Sequence, residues 1–216
     1  MASGLSDDRP RRRHPGRIPE QISEAIMNGP DRLPYRKVLL ADLLATPATA
    51  KVAADPNRSL LASLIAGQIA DTGCLPAHLG LGRAVHEYLL DTYFPGFDIA
   101  GPEREIESIP EWSDLQKLLL DHRACQNASE LWLANIVATA CAGRDHLWQD
   151  LGLQDRNELS QLMWLNFTAL ASANSSDMKW KKFLYRQFCA SEGIYLCPAP
   201  SCGECQEHAK CFGPEN

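Results

Sequence analysis

Residues 197 to 211 read CPAPSCGECQEHAKC, which places Cys197, Cys202, Cys205 and Cys211 within fifteen residues at spacing C-x4-C-x2-C-x5-C. Pro198, Pro200 and Gly203 interrupt the stretch, so a turn-rich loop is expected rather than a helix or strand. Thiols at that density suit three chemistries. Structural zinc takes four thiolates in a tetrahedron and favours C-x2-C chelate pairs, of which only Cys202–Cys205 is present. An iron–sulfur cluster spreads its ligands round a larger polyhedron, and gaps of four, two and five reach around it. The C-x4-C-x2-C portion is similar to the first three ligands of plant-type ferredoxins, although a ferredoxin places its fourth cysteine far downstream. Disulfides are the third chemistry, and they are rare in reducing compartments. Spacing leaves the three open.

The element that must position this loop is the helix before it, predicted from about Ser176 to Glu192 and closed by Gly193. At 100° per residue Trp180, Phe183, Leu184 and Phe188 share one side and should dock on the body. Lys179, Lys182 and Arg186 fall on the other side, with Cys189 about 20° from Lys182. Cys189 is therefore expected to face away from the apolar stripe, as a fifth candidate ligand. Lys182 and Arg186 are either a solvated face or a cationic approach that attracts an oxyanion or steadies an anionic cluster.

Other residues carry weaker chemistry. His146 in RDHLWQDLG reads as a transition-metal ligand or as a hydrogen-bonded histidine at a helix start. His208 lies between Cys205 and Cys211, where a solvent-facing side chain is the plain alternative. Trp132, Trp148, Trp164 and Trp180 read as core, and Cys74, Cys125 and Cys141 as buried free thiols. With no phosphate-binding glycine loop and no acid–base constellation, a turnover enzyme is not expected.

Helical periodicity runs through the rest of the chain. Val38, Leu39, Asp42 and Leu43 make one stripe; Leu60, Leu61, Leu64, Ile65 and Gln68 make a second; Val85, Tyr88, Leu89 and Thr92 make a third. Asn127 with Glu130, and Asp155 with Glu158, read as N-cap and N3 pairs of two later helices. The expectation is an all-α protein: a flexible arm over 1–34, a single helical domain over 35–192, and a short irregular C-terminal cysteine-rich lobe over 193–216. Metal is expected to order that lobe, which has little apolar mass of its own.

The charge balance is acidic. Net charge is −6 over 216 residues. Five arginines against Asp7, Asp8 and Glu20 give +2 in residues 1–20, so the remainder carries −8. An acidic body excludes nucleic acid as the main ligand. Neither a membrane span nor a secretory signal is apparent, and a cytoplasmic location follows.

The segment NSSDMKWKKFLYRQFCASEGIYLCPAPSCGECQEHAKCFGPE resembles the C-terminal signature of the NifQ family. M-K-W-K-K-F, Y-R-Q-F-C and the four cysteines with the following F-G occur in the family's order. DHLWQDLGLQDRNELSQLM resembles the family's central segment, and the likeness covers roughly residues 35–215. The resemblance implies an iron–sulfur cluster on Cys197, Cys202, Cys205 and Cys211 that incorporates molybdenum. It implies a carrier that processes molybdate and donates molybdenum to the iron–molybdenum cofactor of nitrogenase, with the NifEN scaffold and NifH as recipients. The other classes the residues allow are an iron–sulfur electron-transfer protein and a zinc-stapled helical interaction module.

Overall fold

The computed structural model describes residues 32–191 and 208–213, and all regular structure among them is helical. The fold is all-α, as expected. The first helix, α1, spans Arg32–Ala45; a short α2 (Ala50–Ala53) leads into α3 (Asn57–Ile69). Eleven of the thirteen residues of α3 are buried, so it is the central rod of the domain and not a one-faced helix. Helix α4 spans Arg83–Tyr93, and a long non-helical connector precedes α5 (Trp112–Asp121) and α6 (Glu130–Ala140). Helices α7 (Leu147–Asp150), α8 (Arg156–Asn166) and α9 (Thr168–Ala173) follow; α10 (Trp180–Ser191) packs on α5, and α11 (His208–Phe212) ends the described chain.

Two buried polar clusters fix the helices against α3. Arg36, 2% exposed, donates from Nε to the Gly152 carbonyl at 2.8 Å, and its guanidinium also reaches Ser63 and the Glu158 carboxylate. Hydrogen bonding by every partner makes burial of this charge tolerable. In the second cluster Asn57 Nδ2 donates to Ser129 Oγ at 2.9 Å and to Asn166 Oδ1 at 2.6 Å, while Ser129 and Tyr93 donate to Asp55.

Several expected faces are displaced. On α1 the buried residues are Tyr35, Arg36, Leu39 and Leu43, and Val38 is half exposed. On α4 Leu89 and Tyr93 are buried, whereas Val85 and Tyr88 face solvent. Asp155 caps α8 as expected, its carboxylate accepting the Glu158 N–H at 2.9 Å. Ser129 stands at the N-cap position of α6 instead of Asn127. The buried Glu130 carboxylate turns back to accept the N–H groups of Cys125, Gln126 and Asn127.

The fold also sets a pH dependence. His86 on α4 lies edge-on to His78, with ring centroids 5.4 Å apart. Burial, and then the neighbouring His78, push the pKa of His86 down to about 4. An unfolded histidine titrates near 6.5, so this stability is fully present above that value and is lost as pH falls towards about 4. Urea unfolding at about pH 7.5 and about pH 4.5 should differ by on the order of 1 kcal/mol from this half-buried group, after solvent screening. His86→Phe should remove that part of the difference; an unchanged pH profile in the variant would assign it elsewhere.

Candidate functional site

Of the four clustered cysteines, Cys197, Cys202 and Cys205 lie outside the described residues, and Cys211 lies within them. Residues 208–212 form a short helix where a loop was expected; every helix-breaking residue of the stretch, Pro198, Pro200 and Gly203, precedes it. His208 is exposed, with its ring stacked on Phe212 at 4.4 Å. Cys211 and Phe212 pack against the main hydrophobic core. The Lys179 N–H donates to the Cys211 carbonyl at 2.8 Å, so an otherwise unpaired carbonyl at the end of α11 meets an otherwise unpaired amide at the start of α10. One ligand candidate is thereby moored to the helix that delivers the cysteine loop.

Helix α10 docks through Trp180, Phe183 and Leu184. Its buried surface continues past them, through half-buried Lys181 and Tyr185, as far as Cys189. Cys189 is 5% exposed and faces the protein, not the solvent side where Lys182 and Arg186 lie. The aromatic stripe understated the docked face because it left out Lys181. Lys181 Nζ pairs with the Asp150 carboxylate and donates to the Gly143 carbonyl at 2.9 Å. Asp150 is 3% exposed, and its side chain also accepts the Asp145 N–H at 3.1 Å.

The turn that carries Asp150 is held by close backbone contact. Cys74 N–H donates to the Asp150 carbonyl at 2.9 Å, and Gly67 in α3 lies directly against Gly152. Burial, with Asp150 beside it, pushes the Cys74 thiol up to about 12, and burial pushes Cys141 up to about 12. Both remain protonated thiols at neutral pH, which suits packing rather than ligation. His146 stands at the N-cap of α7, where its backbone N–H donates to Gln149 Oε1 at 3.1 Å. Cys125 is exposed rather than buried.

Among the described residues no three His, Cys, Asp or Glu side chains are grouped to hold a metal. An open cavity of about 560 Å³, lined by residues that include His122, Arg123 and Trp164, includes no residue of α10 or α11. The five described cysteines, Cys74, Cys125, Cys141, Cys189 and Cys211, are all free. Cys211, the one member of the clustered set among the described residues, is a free and partly exposed thiol, the soft donor type that suits a thiophilic metal.

The NifQ family profile matches residues 60–213, well over half of the chain and inclusive of all four clustered cysteines. The chain belongs to the NifQ family. It is 40% identical to Protein NifQ of Azotobacter vinelandii over 176 residues, covering 74% of this chain and 89% of that protein. It is 35% identical to Protein NifQ of Rhodobacter capsulatus over 177 residues, covering 81% of this chain and 97% of that protein. No solved structure matches. NifQ membership gives the chain a role in nitrogen fixation and molybdenum processing. Among the described residues no helix is long and apolar enough to cross a membrane.

Proposed function

We propose that this NifQ-family chain binds an iron–sulfur cluster through Cys197, Cys202, Cys205 and Cys211, and that it takes up molybdate and donates molybdenum to nitrogenase cofactor assembly. The observation that carries the reading is the NifQ match through residue 213, which includes every cysteine of the cluster-spaced set. Its recipients are the NifEN scaffold and NifH, and it acts in the cytoplasm as a carrier rather than a turnover enzyme. Free thiols in the described part suit a reducing compartment.

When bound, an iron–sulfur cluster supplies sulfur ligands and electrons, which favour molybdenum in a sulfur environment over its hydrated oxyanion. The chain's own residues do the rest. The Asp150–Lys181 pair holds α10, and the Lys179–Cys211 hydrogen bond ties the site's last cysteine to that helix. Lys182 and Arg186 lie on its exposed side, where positive charge raises the local concentration of an oxyanion on a protein that is acidic overall. His146 holds a helix start, and Cys189 supports α10 from its buried side.

Reversing both cations, Lys182→Glu with Arg186→Glu, should slow molybdate uptake about tenfold at low salt, with the difference shrinking as salt rises. Equal uptake at every ionic strength would make the face plain surface. The function itself is tested by loading the protein with molybdate, iron and sulfide under reductant and mixing it with NifEN. Molybdenum should leave this chain for the scaffold; molybdenum that never binds, or never leaves, contradicts the carrier reading.

A further inference from the structure

The open cavity of about 560 Å³ lies where the C-terminal end of α5 meets α8 and α9, and its volume falls in the range of small-molecule sites. Two of its side chains are tied by one nitrogen each to carbonyls at the end of α5. His122 Nδ1 is 2.8 Å from the Leu118 carbonyl. A carbonyl only accepts, so Nδ1 carries the proton, and Nε2 of the neutral ring keeps a lone pair as an acceptor. Arg123 Nε donates to the Leu120 carbonyl at 3.2 Å, while its terminal N–H groups have no partner among the described residues. The backbone behind them is fixed as well. Ala124 N–H donates to the Asn166 carbonyl at 2.8 Å and Gln126 N–H to the Glu130 carboxylate at 2.7 Å. Between them Cys125 is held at a φ of 58°, a left-handed conformation that a residue with a β-carbon adopts where its surroundings impose it. From α8 the cavity takes Trp164, which is 52% exposed. The one carboxylate in the lining, Asp121, is offset by its ion pair with Lys117.

We infer that this cavity binds a small hydroxycarboxylic acid, with its carboxylate on the Arg123 guanidinium, its hydroxyl donating to His122 Nε2 and its carbon body on Trp164. The terminal N–H groups of a guanidinium match a carboxylate in a planar, bidentate pair, and the Nε tether holds them ready for it. An acid without a hydroxyl leaves His122 Nε2 unpaired, and a site that accepts a hydroxyl rejects the analogue lacking it. An inorganic oxyanion leaves the exposed indole uncovered. The inference is independent of the cysteine lobe, because no residue of α10 or α11 lines the cavity.

The test uses the full chain, labelled with 15N in its five tryptophan indoles, and L-malate as the probe. Succinate, which lacks the hydroxyl, and inorganic phosphate are the comparisons. In calorimetric titration malate should bind about tenfold more tightly than either. The Trp164 indole signal, assigned with Trp164→Phe, should move on addition of malate, and that of buried Trp180 should not. Arg123→Gln should weaken malate binding about tenfold, and His122→Phe should bind malate and succinate alike. Both residues are half-buried, so the urea midpoint of each variant is compared with that of the parent chain. The Trp164 signal of the unmodified chain decides the location even where a variant fails to fold. No malate binding at about 10 mM overturns the inference. Equal affinity for succinate or phosphate overturns the assigned ligand class. A Trp164 signal unmoved by bound malate, or full affinity in folded Arg123→Gln, overturns the assigned cavity.

Discussion

Replacing Lys181 with methionine will lower the unfolding free energy by about 3 kcal/mol and the melting temperature by about 6–12 °C. The substitution keeps most of the length of the side chain and removes its charge together with its N–H donors. What it leaves behind is the Asp150 carboxylate, 3% exposed, with the Asp145 N–H and the neutral Cys74 thiol beside it but no cation among the described residues. An uncompensated buried charge costs far more than the pair contributes while intact. The Gly143 carbonyl also loses the donor that reaches it at 2.9 Å. Adding Asp150→Asn to Lys181→Met should restore part of the loss, since the stranded charge disappears. Thermal and urea unfolding of the two variants check this. A single variant as stable as the parent chain would show that α10 is held by its aromatic face alone.

Gly67→Ala will destabilise the fold by about 1–2 kcal/mol, although helix propensity argues for the opposite sign. Alanine in a helix interior is favoured over glycine by about 1 kcal/mol. A β-carbon at Gly67, however, would stand 2.3 Å from the Gly152 carbonyl oxygen and 2.9 Å from the Gly152 carbonyl carbon and Cα. Backbone cannot swing aside as a flexible side chain can, and overpacking typically costs 1–3 kcal/mol, so the clash outweighs the propensity gain. The displaced turn also carries the Gly152 carbonyl that accepts from Arg36 and the Asp150 that pairs with Lys181. The effect should therefore reach α10, seen as faster amide exchange there than in the parent chain. Equal or greater stability of Gly67→Ala in urea would mean that the helix and turn are not in contact.

What the chain reveals without its fold is uneven, for identifiable reasons. Local rules worked where neighbours in sequence decide the outcome. Asp155 and Glu158 cap α8 three residues apart, and Trp180, Phe183 and Leu184 line one side of a single helix. They failed where a distant partner decides. Arg36 is buried because Gly152 and Glu158, 116 and 122 residues away, satisfy it. Lys181 looks like one more surface cation until Asp150 is placed beside it, and its pairing extends the docked face round to Cys189. Val85 and Tyr88 are apolar enough to read as core, but the neighbouring helices cover α4 through Leu89 and Tyr93. Trp164, read as core, is half exposed. At the candidate site the cysteine spacing was legible at once. The mooring of Cys211 to Lys179 was not, because it joins two helix ends 32 residues apart through backbone alone.

The central claim is that this cysteine set carries iron, sulfide and molybdenum. The most direct measurement is purification without oxygen from cells supplied with molybdate, followed by iron, sulfide, molybdenum and zinc analysis with an optical spectrum. A Cys202→Ser, Cys205→Ser variant is prepared alongside. The parent protein should be coloured and contain iron, sulfide and molybdenum, and the variant should keep its helices while losing all three. Colourless protein with stoichiometric zinc that survives air, or iron and molybdenum retained by the variant, would contradict it.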